Sequence, residues 1–385
     1  METAVIDTEV GLTALAGEWD DLLADSAADG LFLTPDWMLA WWRHFGVGGR
    51  LFVVVCRSEG WLMGLAPLYL RDARLFGLLP VREARFLGDG IASSDHLDFV
   101  LRRGSETAAT EALLARLKAE GGFWDRLRLD GLSSDSSLVA FLDVPTTSTN
   151  TCPYWDMPAS WDAYMASLPS KRRRRFGWRL RKLEKEHDGA VALRTVTREE
   201  ELAPALESLI RLHQAQQVGR GNAGSFAGDA MRAFHHDVAA LLLHRGCLRL
   251  HLLTVAGQDI AAIYGFRHGP VLNFYSTGFD PAWDRHNPGR LIMTHSFQCA
   301  MEEGLQRYDF LRGDEAYKQN LAPANRYDLN LRYAIKPWFR LLCALERLAK
   351  TVKRRLRGMA SPPSLAGAEA VTDAPGDPSE SGHRV

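Results

Sequence analysis

The segment YDFLRGDEAYK, which ends at Lys318, holds a dense group of side chains that could carry out acid–base chemistry. Asp314 and Glu315 follow an expected strand end, and carboxylates near a cleft can act as general bases when their pKa values are raised. Tyr317 could protonate a leaving group, and Arg312 and Lys318 could bind a charged substrate. The alternative is structural: the charged groups would form ion pairs that hold the loop, and Tyr317 would pack with a bonded hydroxyl.

A second polar group precedes an expected helix. Asn287 suits the N-cap, Pro288 suits the first helical position, and Gly289 allows a ligand to approach the backbone. A helix that starts there directs free N–H groups and the positive end of its dipole at the loop, which favours a phosphate or pyrophosphate. His286 is another candidate base, unless it is only exposed to solvent. An ordinary strand–loop–helix connection with a satisfied cap is the alternative for the whole loop.

Residues from the first part of the chain could join the same site. A loop rich in Gly, Asp and Ser, 88–95, leads into a short expected strand at 96–101. Asp95 and His96 stand where the loop meets this strand, so they could bind substrate in a cleft between two lobes. A capped turn would also explain these two residues.

The strongest local charge lies between Lys171 and Lys185, in the run KRRRRFGWRLRKLEK. Phe176 and Trp178 are interleaved with the basic residues, a combination that suits RNA or a phosphorylated carrier. A helix whose basic face is simply solvated is the plainer interpretation.

The elements around these residues predict two lobes. In the first lobe we expect a hairpin of strands 51–56 and 61–70, a helix at 106–120 and a strand at 126–132. The small polar residues of 144–153 predict a linker. The predicted division is a first lobe at 1–150, a second lobe at 151–335, a basic amphipathic helix at 336–358 and a disordered tail at 359–385.

The second lobe repeats the element order of the first. We expect a helical region at 160–187 that breaks at Pro169, helices from 197 and 229, and a hairpin of 248–255 with 259–267. A strand, the loop and helix at Pro288, and strands ending near 311 and 335 follow. The predicted fold class is α/β (α+β), in which each lobe has a mixed, mostly antiparallel sheet flanked by helices, and the shared element order predicts an internal duplication.

Composition predicts a soluble cytoplasmic protein. The net charge is −1, so the chain as a whole has no attraction for nucleic acid or an anionic membrane. Five scattered cysteines without CxxC or Cys/His spacing indicate a reducing compartment and no metal site. We see neither a signal peptide nor an apolar run long enough to span a bilayer. The basic helix at 336–358 should pack on the lobe, with peripheral contact to an anionic membrane as the alternative.

The C-terminal lobe resembles the CelD/BcsL-type branch of the GNAT acyltransferases, which are themselves similar to the two-lobed FemAB aminoacyl transferases. The resemblance rests on LPSKRRRRFGWRLRKLEKE, on the hairpin–strand–helix block 248–304 and on YDFLRGDEAYK, and it spans about 161–333. A weaker similarity lies in SSDHLDFVL, residues 93–101.

This resemblance implies transfer of an acyl group from an acyl-CoA, such as acetyl-CoA, to an amine or hydroxyl of a sugar, peptide or similar acceptor, within envelope or polysaccharide biosynthesis. Pantetheine would lie between two splayed strands and pair with the backbone of Tyr275, Ser276 and Thr277. The pyrophosphate would lie on the loop 284–290. The residues implied to bind the donor there are Arg285, Asn287, Gly289 and Arg290. Tyr317 would protonate the departing thiolate.

The loop departs from the GNAT pattern Q/R-x-x-G-x-G/A. The matching frame, 285–290, keeps the leading Arg but has Pro288 and Arg290 where glycines are expected. Arg290 could supply charge in place of close backbone approach, whereas Pro288 removes one N–H donor. Two alternatives therefore stay open: a FemAB-like transferase that uses aminoacyl-tRNA, and a non-catalytic scaffold that has lost the donor site.

Overall fold

The computed structural model describes residues 1–349 apart from 143, 145, 220, 222, 335, 337 and 347. Lobe 1 comprises the strands β1 (Glu2–Ile6), β2 (Gly49–Leu51), β3 (Val53–Ser58), β4 (Trp61–Ala66), β5 (Leu68–Leu75), β6 (Leu79–Phe86), β7 (Val100–Leu101) and β8 (Arg126–Ser133). Its helices are α1 (Glu9–Ala14), α2 (Ala16–Ala24), α3 (Pro35–Phe45), α4 (Glu106–Ala119) and α5 (Leu138–Leu142), with a 3-10 turn at Leu31–Leu33.

Lobe 2 comprises the strands β9 (Ser148–Asp156), β10 (Val191–Thr195), β11 (Leu248–Val255), β12 (Gln258–His268), β13 (Val271–Phe279), β14 (Arg307–Asp309) and β15 (Ala324–Tyr333). Its helices are α6 (Trp161–Ser167), α7 (Ser170–Glu186), α8 (Glu199–Gly219), α9 (Asp229–His244), α10 (Pro288–Glu302) and α11 (Ala316–Leu321), with a 3-10 helix at Pro281–His286. The predicted helix break at Pro169 is confirmed, because α6 ends before it and α7 begins directly after it.

One eleven-stranded sheet runs through both lobes in the order β10-β11-β12-β13-β14-β9-β15-β8-β6-β5-β2. Strand β15 joins the lobes, since it pairs antiparallel with β9 on one side and with β8 on the other. A second sheet, β1-β3-β4-β7, completes lobe 1. Among the pairs of the described strands only β13–β14 and β6–β8 are parallel. The predicted architecture, mostly antiparallel sheet flanked by helices, is confirmed.

The two lobes repeat one local arrangement. The hairpins β3–β4 and β11–β12 turn at Glu59-Gly60 and Ala256-Gly257, where both residues have positive φ, a geometry that matches the twist of the flanking strands. Each lobe then has a parallel pair with three residues in register and a helix in the connection: β6 and β8 with α4, and β13 and β14 with α10. This repeated order supports the predicted duplication.

The lobes share an apolar core, and lobe 2 has a second core of its own. Trp37 of α3 is buried, and its ring lies 5.1 Å from that of Phe234 in α9 and 5.8 Å from those of Phe266 and Tyr275. Edge-on aromatic contacts of this kind add to the free energy gained from area burial. Because Trp37 belongs to lobe 1 and its partners to lobe 2, the packing fixes the lobes against each other.

The structure corrects the predicted linker at 144–153. Residues 148–153 belong to β9, which pairs with β15 from Ser148 to Tyr154 and with β14 from Tyr154 to Asp156. Thr149 and Thr151 are β-branched and suit an extended strand once partners lie on both sides. The division at residue 150 therefore falls inside a strand.

Further corrections concern strands and a cap. The predicted strand 61–70 is two strands in different sheets, β4 and β5, because Pro67 between them lacks an N–H for a continuous ladder. The predicted strand 96–101 is regular only at Val100–Leu101. Asn287 does precede α10, but it has left-handed φ of 53° and its side chain accepts no capping bond.

The predicted C-terminal helix is described only in part. Residues 338–346 are helical, and Leu341 and Leu345 of its expected apolar face are exposed. The remainder of 336–358 beyond residue 349, and the tail 359–385, lie outside the described residues. In the described part of the chain, no helix is long and apolar enough to cross a membrane.

Candidate functional site

Strands β13 and β14 separate within lobe 2. They pair in parallel only from Val271 to Asn273, and the rest of β13 continues without β14 beside it. On its other side, β13 has a bulge: Tyr264 pairs with Ser276 and Gly265 with Phe274, which leaves Tyr275 as the extra residue. Bulges of this kind are common next to active sites, because they redirect the backbone. The diverging strands therefore form an open edge that suits an extended ligand.

The residues predicted to bind pantetheine have partners already. The Tyr275 hydroxyl donates to the Ala92 carbonyl at 2.7 Å, and the Thr277 hydroxyl donates to Ala262 at 2.8 Å. His213 accepts at Nε2 from the Ser225 amide, so its Nδ1 carries the proton that is donated to the Thr277 carbonyl at 3.0 Å. The Ser276 hydroxyl lies 3.2 Å from the same Nδ1. These side chains support the strand, so a ligand here would use the backbone.

The loop between β13 and α10 places two cations at the surface. Arg285, Asn287 and Arg290 are exposed. Gly289 has a packing role, since a Cβ there would lie 3.3 Å from the ring of Phe279. The arginines surround the start of α10, where the helix dipole also favours an anion.

His286 is held away from solvent. It is buried, the Arg285 Nε donates to its Nε2 at 2.8 Å, and Glu186 of α7 lies 3.6 Å from the same nitrogen. Burial lowers the pKa of His286, against the opposing charge of Glu186. The predicted base is therefore a neutral imidazole whose Nε2 is occupied by a neighbour.

The cluster after β14 divides into exposed and buried members. Asp314 is exposed and makes no hydrogen bond or ion pair with other described residues, and Tyr317 is 39% exposed. Lys318 is buried, donates to the Arg312 carbonyl at 2.7 Å and pairs with Glu315 at 3.2 Å. Lys318 and Glu315 therefore hold the loop, whereas Asp314 does not take part.

Arg312 connects this loop to lobe 1. Its backbone N–H donates to Asp95 at 2.8 Å, and its guanidinium bonds both Asp95 and the Ser94 carbonyl. Asp95 is buried. The predicted meeting of Asp95 with the second lobe is thus seen in the structure, as a buried ion pair.

His96 lies between two buried carboxylates of lobe 2. Its Nδ1 and backbone N–H each lie 2.8 Å from the carboxylate of Asp328, and its Nε2 lies 3.5 Å from Asp309. Arg326 completes the group with a 2.7 Å ion pair to Asp309. Although burial alone would lower it, the carboxylates of Asp309 and Asp328 raise the pKa of His96 to about 9. His96 is therefore a cation at neutral pH, and the group is balanced in charge.

A cavity of about 410 Å³ lies between the lobes beside this group. Asn273, where β13 and β14 begin to part, contributes to its wall together with His96 and Arg326. Its acidic lining residues are Asp29, Asp95, Asp98, Glu106 and Asp135. The open edge of β13 and the cavity thus meet at Asn273.

Asp98 is the acidic group in this cavity with the most unusual chemistry. Burial raises its pKa to about 7, against hydrogen bonds from the Ser136 hydroxyl at 2.6 Å and the Phe99 amide at 2.7 Å. Both bonds end on Oδ1, which leaves Oδ2 for a proton or a substrate. A carboxyl with such a pKa can exchange protons at neutral pH.

Sequence reasoning missed Asp98, Asp309, Asp328 and Arg326. A signal was present for Asp98, three residues after Asp95 in the segment SSDHLDFVL. The others gave none, because Asp309 and Asp328 lie more than two hundred residues from His96 in sequence, and Arg326 joins this group only through its ion pair with Asp309.

The basic residues of α7 lie beside the loop. Lys171, Arg172, Arg173 and Arg174 are exposed, while Leu183 near the other end of the helix is buried. Burial raises the pKa of Tyr164 in α6, and the positive charges of Arg290 and Arg172 oppose that rise. The start of α7 therefore extends the positive surface around Arg290.

We compared the chain with protein-family models and with known proteins. Residues 170–319 match the family model described as Acetyltransferase (GNAT) domain. No curated protein matches the chain in sequence. Among solved structures the chain is similar to FemX, with 12% identity, a TM-score of 0.60, and coverage of 89% of this chain and 99% of that one.

Two further structures share the fold. One is the C-terminal domain of a putative lysylphosphatidylglycerol synthetase from Agrobacterium fabrum, with 10% identity, a TM-score of 0.51 and coverage of 88% and 96% of the two chains. The other is a conserved protein of unknown function from Bacteroides thetaiotaomicron, with 10% identity, a TM-score of 0.52 and coverage of 86% and 100%. At these identities the similarity shows the fold alone.

Proposed function

We propose that the protein, whose residues 170–319 match the GNAT acetyltransferase model, is a transferase that moves an acyl group from acyl-CoA to an amine held between the lobes. The observation that carries this proposal is the separation of β13 from β14 directly beside the interlobe cavity. The open edge of β13 would bind the donor, the cavity would bind the acceptor, and the two would meet at Asn273. The cell-envelope or polysaccharide acceptor implied by the resemblance stays a prediction.

The donor would lie along the open edge of β13. Its pantetheine amides would pair with the backbone at Tyr275 to Thr277, and its pyrophosphate would lie at the start of α10. Arg285 and Arg290 are exposed there and could bind phosphate oxygens, compensating for the N–H that Pro288 lacks. Arg172 adds positive charge at the same surface.

The acceptor class follows from the charge of the cavity. Five acidic residues line it, of which Asp95 is paired with Arg312 and Asp29 with His268, while the lining cations Arg326 and His96 are paired with Asp309 and Asp328. Asp98, Glu106 and Asp135 therefore give the cavity its acidic character. An amine-bearing acceptor complements such a surface. In transfer, the amine nitrogen attacks the thioester carbonyl, the C–N bond forms, the C–S bond breaks, and the proton lost by the amine passes to a base.

Asp98 and Asp314 are the two candidate bases. Asp98 lies in the cavity with a pKa of about 7, whereas Asp314 lies exposed on the loop after β14. We infer that Asp98 takes the proton. Glu315 and Lys318 position the loop, and Tyr317 stays the proposed donor to the departing thiolate.

Ligand-dependent thermal unfolding tests the donor site. At about one hundred times its dissociation constant, acetyl-CoA or a longer acyl-CoA stabilises the fold by roughly 2.7 kcal/mol, which raises the Tm by a few degrees. Arg290→Glu should abolish this rise, while Arg267→Glu, an exposed arginine on β12, should keep it. No rise with any acyl-CoA in a cooperatively folded sample would exclude this donor.

A second candidate function is aminoacyl transfer from tRNA. Its support is the fold shared with FemX and with a putative lysylphosphatidylglycerol synthetase domain, together with the exposed basic residues of α7. Replacing Arg172, Arg173 and Arg174 with Ala should then remove salt-dependent tRNA binding, measured by filter retention. If tRNA binding is unchanged in this variant, the function does not use α7.

A further inference from the structure

Three side chains of the types that bind soft metal ions meet in lobe 2, between β11 and α10. His251 lies on β11, and His295 and Cys299 lie one turn apart on α10. One ligand atom from each residue lies within 4.8 Å of the others. The spacing of four residues puts His295 and Cys299 on one face of the helix, and that face packs against β11.

The distances suit a tetrahedral ion. Cys299 Sγ lies 3.6 Å from His295 Nε2, and the rings of His251 and His295 are 5.3 Å apart at 83°. With Zn–N near 2.0–2.1 Å and Zn–S near 2.3 Å, two ligand atoms on a tetrahedral zinc stand about 3.5 Å apart. The Cys299–His295 pair already has this separation, and ligand atoms that lie up to 4.8 Å apart would have to approach by about 1 Å when the ion binds.

A second observation, independent of these distances, is that one ring nitrogen of His251 lacks a partner among the described residues. It is 1% exposed, and its Nε2 is buried without a hydrogen-bond partner. Its other nitrogen, Nδ1, lies 2.8 Å from the Thr195 hydroxyl. If Nδ1 donates its proton to that oxygen, Nε2 presents a lone pair to the cluster. Metal-binding histidines are commonly oriented in this way by a second hydrogen bond.

Two other groups of this type in the described chain suit a cation less well. His96, Cys152 and Asp328 lie beside Arg326, whose charge already balances the carboxylates. Glu186, His187 and His286 lie beside Arg285, which donates to His286. At the His251 cluster the near cation, Arg249, is bound to Glu303 at 2.7 Å.

We propose that His251, His295 and Cys299 form a site for a soft divalent ion, Zn²⁺ by ligand type, that clamps α10 to β11. Two imidazoles and a thiolate are ligands zinc prefers, and a water can complete four-coordination. The site differs from the sequence expectation of no metal site, which overlooked the His295–Cys299 spacing. Because α10 starts at the donor loop, the clamp would fix the position of that loop.

Cobalt substitution tests the site on the full-length, reduced protein. Co²⁺ should bind once per chain and give the sulfur-to-cobalt charge-transfer band of a cysteine ligand. Cys299→Ser should lose that band, whereas Cys247→Ser, which changes a half-buried cysteine outside the cluster, should keep it. A saturable band that survives in Cys299→Ser, or no saturable Co²⁺ binding by the folded wild type, would overturn the proposal.

Thr195→Val provides a variant that keeps the shape of the side chain. Loss of the hydroxyl that orients His251 should raise the Zn²⁺ dissociation constant about 10–100-fold, measured by competition with a chelator. A circular dichroism spectrum and Tm like those of the wild type without metal would show that the fold is kept. If Zn²⁺ affinity is unchanged in Thr195→Val and also in His295→Gln, these residues do not form the site.

Discussion

At the scale of single residues, burial decides which acidic groups can do chemistry. The sequence predicted Asp314 and Glu315 from their position after a strand, but Asp314 is exposed and Glu315 pairs with Lys318. Asp98 became a candidate only in three dimensions, because the apolar surroundings that raise its pKa come from the fold. Sequence reasoning can find the acidic residues but not the burial that makes one of them a base at neutral pH.

Asp98→Asn should remove the base and keep the fold. Asn can still accept the bonds of Ser136 and Phe99, because both end on Oδ1. We expect kcat/KM for acyl transfer to fall about 10²–10⁴-fold, and wild-type activity to fall as pH drops below about 7, where Asp98 is protonated. Steady-state release of coenzyme A measures both.

The matched control for this variant is Asp314→Asn. If Asp314→Asn removes activity and Asp98→Asn does not, the base lies on the loop after β14. The pKa of Asp98 is raised on folding, so its buried charge destabilises the fold increasingly as pH rises from about 4 to about 7. Asp98→Asn should therefore be at least as stable as the wild type above pH 7, and a loss of activity would not reflect unfolding.

His96 should make the fold sensitive to alkali. Its pKa is about 9 in the folded protein and about 6.5 when unperturbed, so its stabilisation is complete below about 6.5 and is lost as pH rises through about 9. The shift corresponds to about 3 kcal/mol. Urea unfolding between pH 6 and 10 measures this loss of stability. In His96→Gln the free energy of unfolding should fall less between pH 6 and 10 than in the wild type. In His236→Gln, which changes a surface pair with Glu207, it should fall as in the wild type.

At the scale of elements, features that depend on local sequence could be predicted, and features that depend on strand pairing could not. The break at Pro169 and the helix at Pro288 could be predicted because proline geometry and helix periodicity act within a few residues. The bulge at Tyr275 could not, since it depends on register with β12. The strand at Ser148 looked like a linker because its partners β14 and β15 are distant in sequence.

Gly278 tests the contact between β13 and α8. A Cβ there would come within 2.3 Å of the His213 backbone nitrogen, and that backbone cannot move aside cheaply. Gly278→Ala should therefore destabilise the fold by about 1–3 kcal/mol or more in urea unfolding. The control is Gly17→Ala in α2, where a Cβ has open space, which should be neutral or stabilising. Equal stability of both variants would show that α8 does not press on β13.

At the scale of the whole molecule, the lobes are joined by a continuous sheet and by buried charge. Strand β15 pairs across the junction, Arg312 bonds Asp95, and His96 lies between Asp309 and Asp328. The sequence predicted two lobes and a cleft between them because the element order repeats. It could not predict that the junction itself would be an ion-pair network, because that depends on distant residues meeting.

Hydrogen exchange with and without acetyl-CoA tests the central claim, that the separation of β13 from β14 is the donor site. The account predicts slower amide exchange in residues 274–279 and 284–291 when acetyl-CoA is present, and no change in β2 (Gly49–Leu51) of lobe 1. Arg290→Glu should remove the protection. Protection confined to lobe 1, or bound acetyl-CoA that leaves β13 unprotected, would contradict the account.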